Sequence, residues 1–208
     1  TLVLHDLHGN NHRGNEALLL RYSAGLNPAL PERIMEGEFD HVARAVSRIR
    51  SGTWQHELKS QTVLLQNPVF TNGLAQMTTG APYPCFNGGL VMARVRHFDP
   101  DRGRPGLPED IAALVETLGP DRSVLTLVNT GIAETRRVVV QAGAYAEPSF
   151  TRVRALPPSG TSQAKEGPWV RVNGKAFLAE LQPSGILRLQ AKTKRYVNPP
   201  TSKRPWGY

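Results

Sequence analysis

The chain has 208 residues, 39% hydrophobic and 20% charged, with a formal net charge of +8. That balance suits a folded globular chain rather than a disordered one, and no apolar run approaches the roughly 20 residues that a membrane-spanning helix needs. One cysteine, Cys85, excludes an internal disulfide framework and a multi-cysteine zinc site.

The charge is unevenly placed. Residues 1–118 carry 11 basic and 12 acidic side chains, whereas residues 119–208 carry 14 and 5. Arg188–Tyr208 holds six basic residues and no acid. Such a terminus can meet an anionic partner, but its cations are not interleaved with aromatics as a base-stacking platform requires. The reading is a solvated basic tail, with nucleic acid disfavoured as partner. The start shows no basic region followed by an apolar core and a small-residue cleavage site, so no signal peptide is read. The expectation is a soluble chain with no membrane segment. It opens directly in a strand-like Thr1-Leu2-Val3-Leu4 and is read as a piece of something longer.

In chain order, Asn15 is a good N-cap for a helix over Glu16–Ser23, with Gly25 as its stop. Asn27–Pro31 reads as punctuation. A second helix is expected over Phe39–Arg50, where Phe39, Val42, Ala43, Val46 and Ile49 share one face, and Gly52 ends it. A third is expected over Trp54–Gln66 and a short fourth over Gly73–Met77, followed by a Gly/Pro/Asn-rich stretch to residue 106. Pro108, Glu109 and Asp110 resemble a helix N-terminus, and Ile111, Leu114, Val115 and Leu118 form an apolar stripe, so a helix is expected there.

From Asp121 the period changes to that of strands. Ser123–Val128, Arg137–Gln141, Ser149–Arg154, Trp169–Val172, Lys175–Leu178 and Ile186–Leu189 are short runs separated by turn residues. Asn173-Gly174 predicts a type I′ hairpin between the fourth and fifth. Six such strands with no intervening helix predict an antiparallel sandwich. The expected fold class is therefore α+β, in three parts. Residues 1–119 are mainly helical, 120–191 form a small β-sandwich, and 192–208 are a basic Pro-rich tail, extended on a surface or disordered.

Chemistry-bearing side chains concentrate in the first sixteen residues, where His5, His8 and His12 accompany Asp6 and Glu16. His8-x3-His12-x3-Glu16 would align three metal ligands on a helix. Gly9 and Gly14 disfavour a helix there, so the segment reads as a polar loop, with no metal or cofactor expected. Asp6, Glu16 and Glu57 are the candidate acid/base carboxylates, with Glu38 and Asp40 as further carboxylates of the helical part. His8, His12, Trp54 and His56 are candidate substrate-binding residues, because indole faces and neighbouring polar groups suit sugars. Trp169 is a further stacking candidate. Carboxylates that cleave glycosides must face each other across roughly 5–9.5 Å.

Two resemblances bear on function. Asp6-Leu7-His8-Gly9-Asn10 after Thr1–Leu4 resembles the first metal-binding block of calcineurin-like metallophosphoesterases, whose later ligand blocks are absent from this chain. More of the chain is covered by a second likeness. Ser123–Asn129, Arg137–Gly143, Val172–Lys175 and Leu181–Leu189, set behind a helical part, resemble the terminal β-domains of six-hairpin, (α/α)-toroid glycoside hydrolases. That resemblance implies a C-terminal portion of a carbohydrate-active protein, lacking most of the helical toroid, which leaves its catalytic self-sufficiency open. Its partners would be a carbohydrate substrate or the rest of a larger chain. The rival reading is a non-catalytic binding or interaction module. A metal-dependent phosphoesterase remnant stands third.

Overall fold

The computed structural model describes residues 21–52, 72–81, 93–160 and 165–206. The chain divides into two compact units, Thr1–Gln76 and Met77–Tyr208. In the first, helix α1 spans Leu30–Ser51. It starts well before the expected Phe39 because Pro31 sits in its first turn, where a missing N–H costs nothing. Glu32 near its start and Arg48 and Arg50 near its end complement the helix dipole. Gly52 closes it as expected, in the left-handed region at φ 72°, with its N–H on Ile49 O. The short fourth helix is also present, as α2 over Asn72–Thr79. Glu38 Oε1 accepts a hydrogen bond from Gly73 N at 3.1 Å. The expected third helix, Cys85 and most of the first helix lie outside the described residues.

The second unit is built on two antiparallel sheets. Its strands are β1 Val95–Asp99, β2 Arg104–Pro105, β3 Ile111–Leu118, β4 Arg122–Asn129, β5 Arg136–Ala142, β6 Ser149–Leu156, β7 Val170–Gly174, β8 Ala176–Leu181 and β9 Ile186–Lys194. The first sheet has the order β2-β1-β5-β8 and the second β3-β4-β9-β6-β7. Val95, Val138, Val140, Ala142, Ala179 and Leu181 of the first sheet share one buried cluster with Ile111, Val115, Leu125, Leu127, Phe150, Leu189 and Ala191 of the second. A core drawn from both inner faces is that of a β-sandwich, as the strand pattern predicted. Phe150 and Phe177 meet edge to face across it, with ring centroids 5.0 Å apart.

Two expectations are corrected. The segment after Pro108 is strand β3, paired along its length with β4, and not a helix. Asp110 has φ 61°, which the first turn of a right-handed helix does not allow. Ile111, Ala113 and Val115 alternate inward, and a bulge between Val115 and Thr117 returns Leu118 to the same face. The β part accordingly begins at Val95, ahead of Gly119-Pro120.

The second correction concerns Asn173-Gly174, which does not form a hairpin. β7 pairs with β6 and β8 with β5, so the chain changes sheets at this corner. Of the two turn residues only Asn173 has a positive φ, 47°, whereas a type I′ turn needs both.

One irregularity decides what the second sheet presents to solvent. Both ladders of β6 shift register between Phe150 and Arg152: Thr151 is an extra residue against β9, whereas β7 sets two residues, Val172 and Asn173, opposite it. Side chains two apart on a regular strand share a face. The bulge breaks that rule, so Phe150 enters the core while Arg152 and Arg154 point outward. Phe150→Ala is expected to destabilise the sandwich by about 3–5 kcal/mol. Urea denaturation checks the variant.

Candidate functional site

The residues that the sequence singled out as catalytic or substrate-binding, Asp6, His8, His12, Glu16, Trp54, His56 and Glu57, lie outside the described residues. Of the further carboxylates, Glu38 holds the start of α2 and Asp40 sits 3.6 Å from Arg44 on an exposed turn of α1. Among the described residues no three His, Cys, Asp or Glu side chains come together as a ligand set. The polar chemistry that can be followed is in the sandwich.

The outer face of the second sheet is ordered in rows. Register pairs Arg171 with Arg152, Arg152 with Lys192, and Lys192 with Arg122. Four basic residues therefore stand side by side on four adjacent strands, which lie about 4.8 Å apart. The next row holds Arg154 opposite Gln190, joined by a 2.8 Å bond from Arg154 Nε to Gln190 Oε1. Trp169, just before β7, lies beside this row. Its ring centroid is 4.5 Å from the Arg154 guanidinium, 4.7 Å from that of Arg152 and 5.6 Å from Lys192 Nζ. These are cation–π distances. In the third row Arg188 pairs with Thr126, and its Nη2 reaches Glu116 Oε2 at 2.7 Å.

The carboxylates on this face are thus spent on the second and third rows. Glu166 holds Arg154 and Glu116 holds Arg188. No carboxylate among the described residues is paired with Arg171, Arg152, Lys192 or Arg122. The depression above the first row, about 470 Å³, is lined by Thr151, Arg152, Trp169, Arg171, Asn173 and Lys192.

The opposite face of the sandwich is covered by the basic tail. Asn198 anchors it: Nδ2 lies 3.1 Å from Ala146 O, 3.0 Å from Pro148 O and 2.9 Å from Ser149 Oγ. Thr201 N donates to Tyr145 O at 2.8 Å, and Arg204 donates to Gly103 O. Trp206 meets Phe98 edge on, with centroids 6.1 Å apart, over a small cluster of Phe98, Val139 and Ala176. Between the tail and the β7–β8 corner runs a cleft of about 780 Å³. Trp206, Pro205 and Pro200 form its apolar wall, and Asn173, Lys175 and Thr201 supply polar groups. Asn173 borders both depressions, and among the described residues no carboxylate lines either.

His97 is the remaining titratable group of note. It is buried, its Nε2 lies 2.8 Å from Thr78 O, and its Nδ1 has no hydrogen-bond partner among the described residues. A neutral ring donating Nε2–H to the carbonyl fits that setting. Burial lowers its pKa, against the smaller opposing effect of the Thr78 hydrogen bond. Its place on the inner side of β1 makes it a packing group.

Sequence reasoning named Trp169 but missed the cation row and Trp206. The signals were there: Arg152-x-Arg154 and Arg188-x-Gln190-x-Lys192 have the period of a strand face, inside the basic half of the chain.

No protein-family model matches the chain, and no curated protein matches it. Among solved structures it is similar to a GH30 endoxylanase from Clostridium papyrosolvens C71, at 16% identity and a TM-score of 0.29, over 42% of this chain and 21% of that one. It is also similar to CelM2, a bifunctional glucanase-xylanase protein from a metagenome library, at 12% identity and a TM-score of 0.31, over 43% of this chain and 17% of that one. The chain thus covers 21% and 17% of those two chains.

Two outcomes follow from the anchor and the buried ring. Asn198→Ala removes the hydrogen bonds to the part-buried carbonyls of Ala146 and Pro148, at about 1–3 kcal/mol. Trypsin should then cut after Lys203 about tenfold faster or more, since each 1.4 kcal/mol is a factor of ten. For His97 the unfolded ring takes up a proton near pH 6.5, whereas the folded ring does so only at lower pH. Its contribution to stability is complete above about pH 6.5 and is lost progressively as pH falls toward the folded pKa. The urea midpoint should therefore drop between about pH 7 and pH 5, and His97→Gln should show a shallower drop.

Proposed function

We propose that the β-sandwich is a glycan-binding accessory module of a carbohydrate-active protein, holding sugar in the cleft beneath its C-terminal segment rather than cleaving it. The observation that carries this reading is the make-up of that cleft. An indole that is 41% exposed stands beside the amide of Asn173, the hydroxyl of Thr201 and the ammonium of Lys175. Apolar walls with a few convergent polar groups are the general form of a small-ligand site, and the volume falls within the roughly 300–1,000 Å³ of such sites. An aromatic surface ringed by amide and hydroxyl groups suits a pyranose, which has an apolar face and a rim of hydroxyls. The resemblance of the strand sequences to the terminal β-domains of toroid glycoside hydrolases supports the same ligand class.

Cleavage by acid and base would need two carboxylates across the bond. Three described carboxylates of the sandwich are engaged in ion pairs: Glu116 with Arg188, Glu166 with Arg154, and Asp110 with Arg136 at 2.8 Å. A catalytic part for Asp6, Glu16 and Glu57 belongs to the helical portion of the proposal.

Affinity electrophoresis in gels containing soluble neutral xylan, mixed-linkage glucan or galactan tests the binding. At least one of these should retard the protein. Trp206→Ala should weaken that retardation about tenfold or more, as loss of a central Trp anchor does. Absence of retardation in all three, or equal retardation of the variant, would overturn the reading.

A further inference from the structure

We infer that the outer face of the second sheet is a separate site for an acidic glycan, a polymer bearing carboxylates on successive sugar rings. The glycan identity rests on the proposed function; the demand for anions rests on the sheet alone.

The demand comes from the first row. Arg171, Arg152, Lys192 and Arg122 are directly opposed across three strand pairs. Like charges placed directly opposite destabilise a sheet. Elsewhere on this face the chain relieves the same problem with carboxylates, Glu166 for Arg154 and Glu116 for Arg188. In the first row the described residues supply the Trp169 ring and no carboxylate; the ring lies within cation–π distance of Arg152 and Lys192. Arg152, Arg171 and Arg122 are solvent-exposed and Lys192 is half-buried, so the row can be reached from solvent. Bound anions would remove the repulsion without displacing any existing ion pair.

Shape then selects among polyanions. The cations form a straight line across the strands, spaced by the sheet at about 4.8 Å and spanning about 14 Å. That geometry fits an extended chain with one charge per short rigid repeat, as in a polyuronate, where each pyranose carries one carboxylate. Single-stranded nucleic acid fits less well, because it calls for several free aromatic faces. Among the described residues the ring at this row is Trp169, already engaged by the Arg152 and Arg154 guanidiniums. The shared border at Asn173 would let one chain touch both the row and the Trp206 cleft.

The test compares polygalacturonate, neutral galactan and oligo(dT) by titration over a salt series. Polygalacturonate should bind most tightly. Arg152→Gln with Lys192→Gln should weaken it about tenfold or more and lower the log–log salt slope by about 2, one per cation removed. Arg122→Gln with Arg171→Gln, at exposed positions, should act in the same direction, and Trp206→Ala should leave the salt slope unchanged. Retention of polygalacturonate with no Trp206-dependent neutral binding would keep this inference and remove the cleft reading. Trp206-dependent neutral binding with no charge-dependent polygalacturonate binding would do the reverse. Oligo(dT) bound as tightly as polygalacturonate at every salt concentration would overturn the acidic-glycan assignment.

Discussion

The bulge at Thr151 is the constraint on which the described surface depends. A strand has only two faces, and a side chain's face is fixed by counting in twos. β6 must deliver Phe150 to the core, where it closes on Phe177. It must also keep Arg152 and Arg154 out of that core, because an unpaired buried cation costs far more than one aromatic side chain contributes. A regular strand cannot do both, since Phe150 and Arg152 are two apart. One inserted residue resolves the conflict: Thr151 is extra against β9, and β7 in turn sets Val172 and Asn173 opposite it. The bulge is therefore a packing solution that also creates the cation row. Core and surface chemistry are coupled through it.

The two outer faces of the sandwich are treated differently by the chain. Over the first sheet the tail from Val197 onward is tied down by Asn198, Thr201 and Arg204, and it shields Gln141 and the Phe98 cluster. The covering is incomplete and leaves the cleft beside Trp206. The second sheet keeps its basic end open and neutralises only the arginines nearer its middle. An aromatic cleft on one side and a cation ladder on the other meet at the corner where the chain changes sheets. That corner exists because Asn173 tolerates a positive φ. The glycan-binding proposal joins these features: the cleft for a neutral ring face, the ladder for carboxylates along a chain.

Much of the sandwich was legible in the sequence. β-branched runs such as Arg136–Ala142 and Arg122–Asn129 have no helical periodicity, and the turns between them carry Asn, Gly and Pro. The segment Ile111–Leu118 misled for a definable reason. Its apolar residues fit a 3.6 period, and they equally fit a 2 period once a bulge is allowed after Val115. Pro108, Glu109 and Asp110 then mimicked a helix start. Pairing with β4, which no local window contains, decided the outcome. The hairpin expectation at Asn173-Gly174 failed in the same way, because sheet membership is a property of distant partners. The cation row was invisible to a count of charges; it needs the register of four strands. The candidates near the N-terminus rest on residue type alone.

The central claim is that the sandwich binds an acidic glycan along the Arg171–Arg122 row. Backbone and indole amide mapping of the isotope-labelled chain during titration with an oligogalacturonate tests it most directly. The account predicts saturable shifts at the Trp169 indole N–H and at Thr151, Arg152, Asn173 and Lys192, with α1 unmoved. Shifts confined to other surfaces, or none at a concentration where binding is detected by another method, would contradict it.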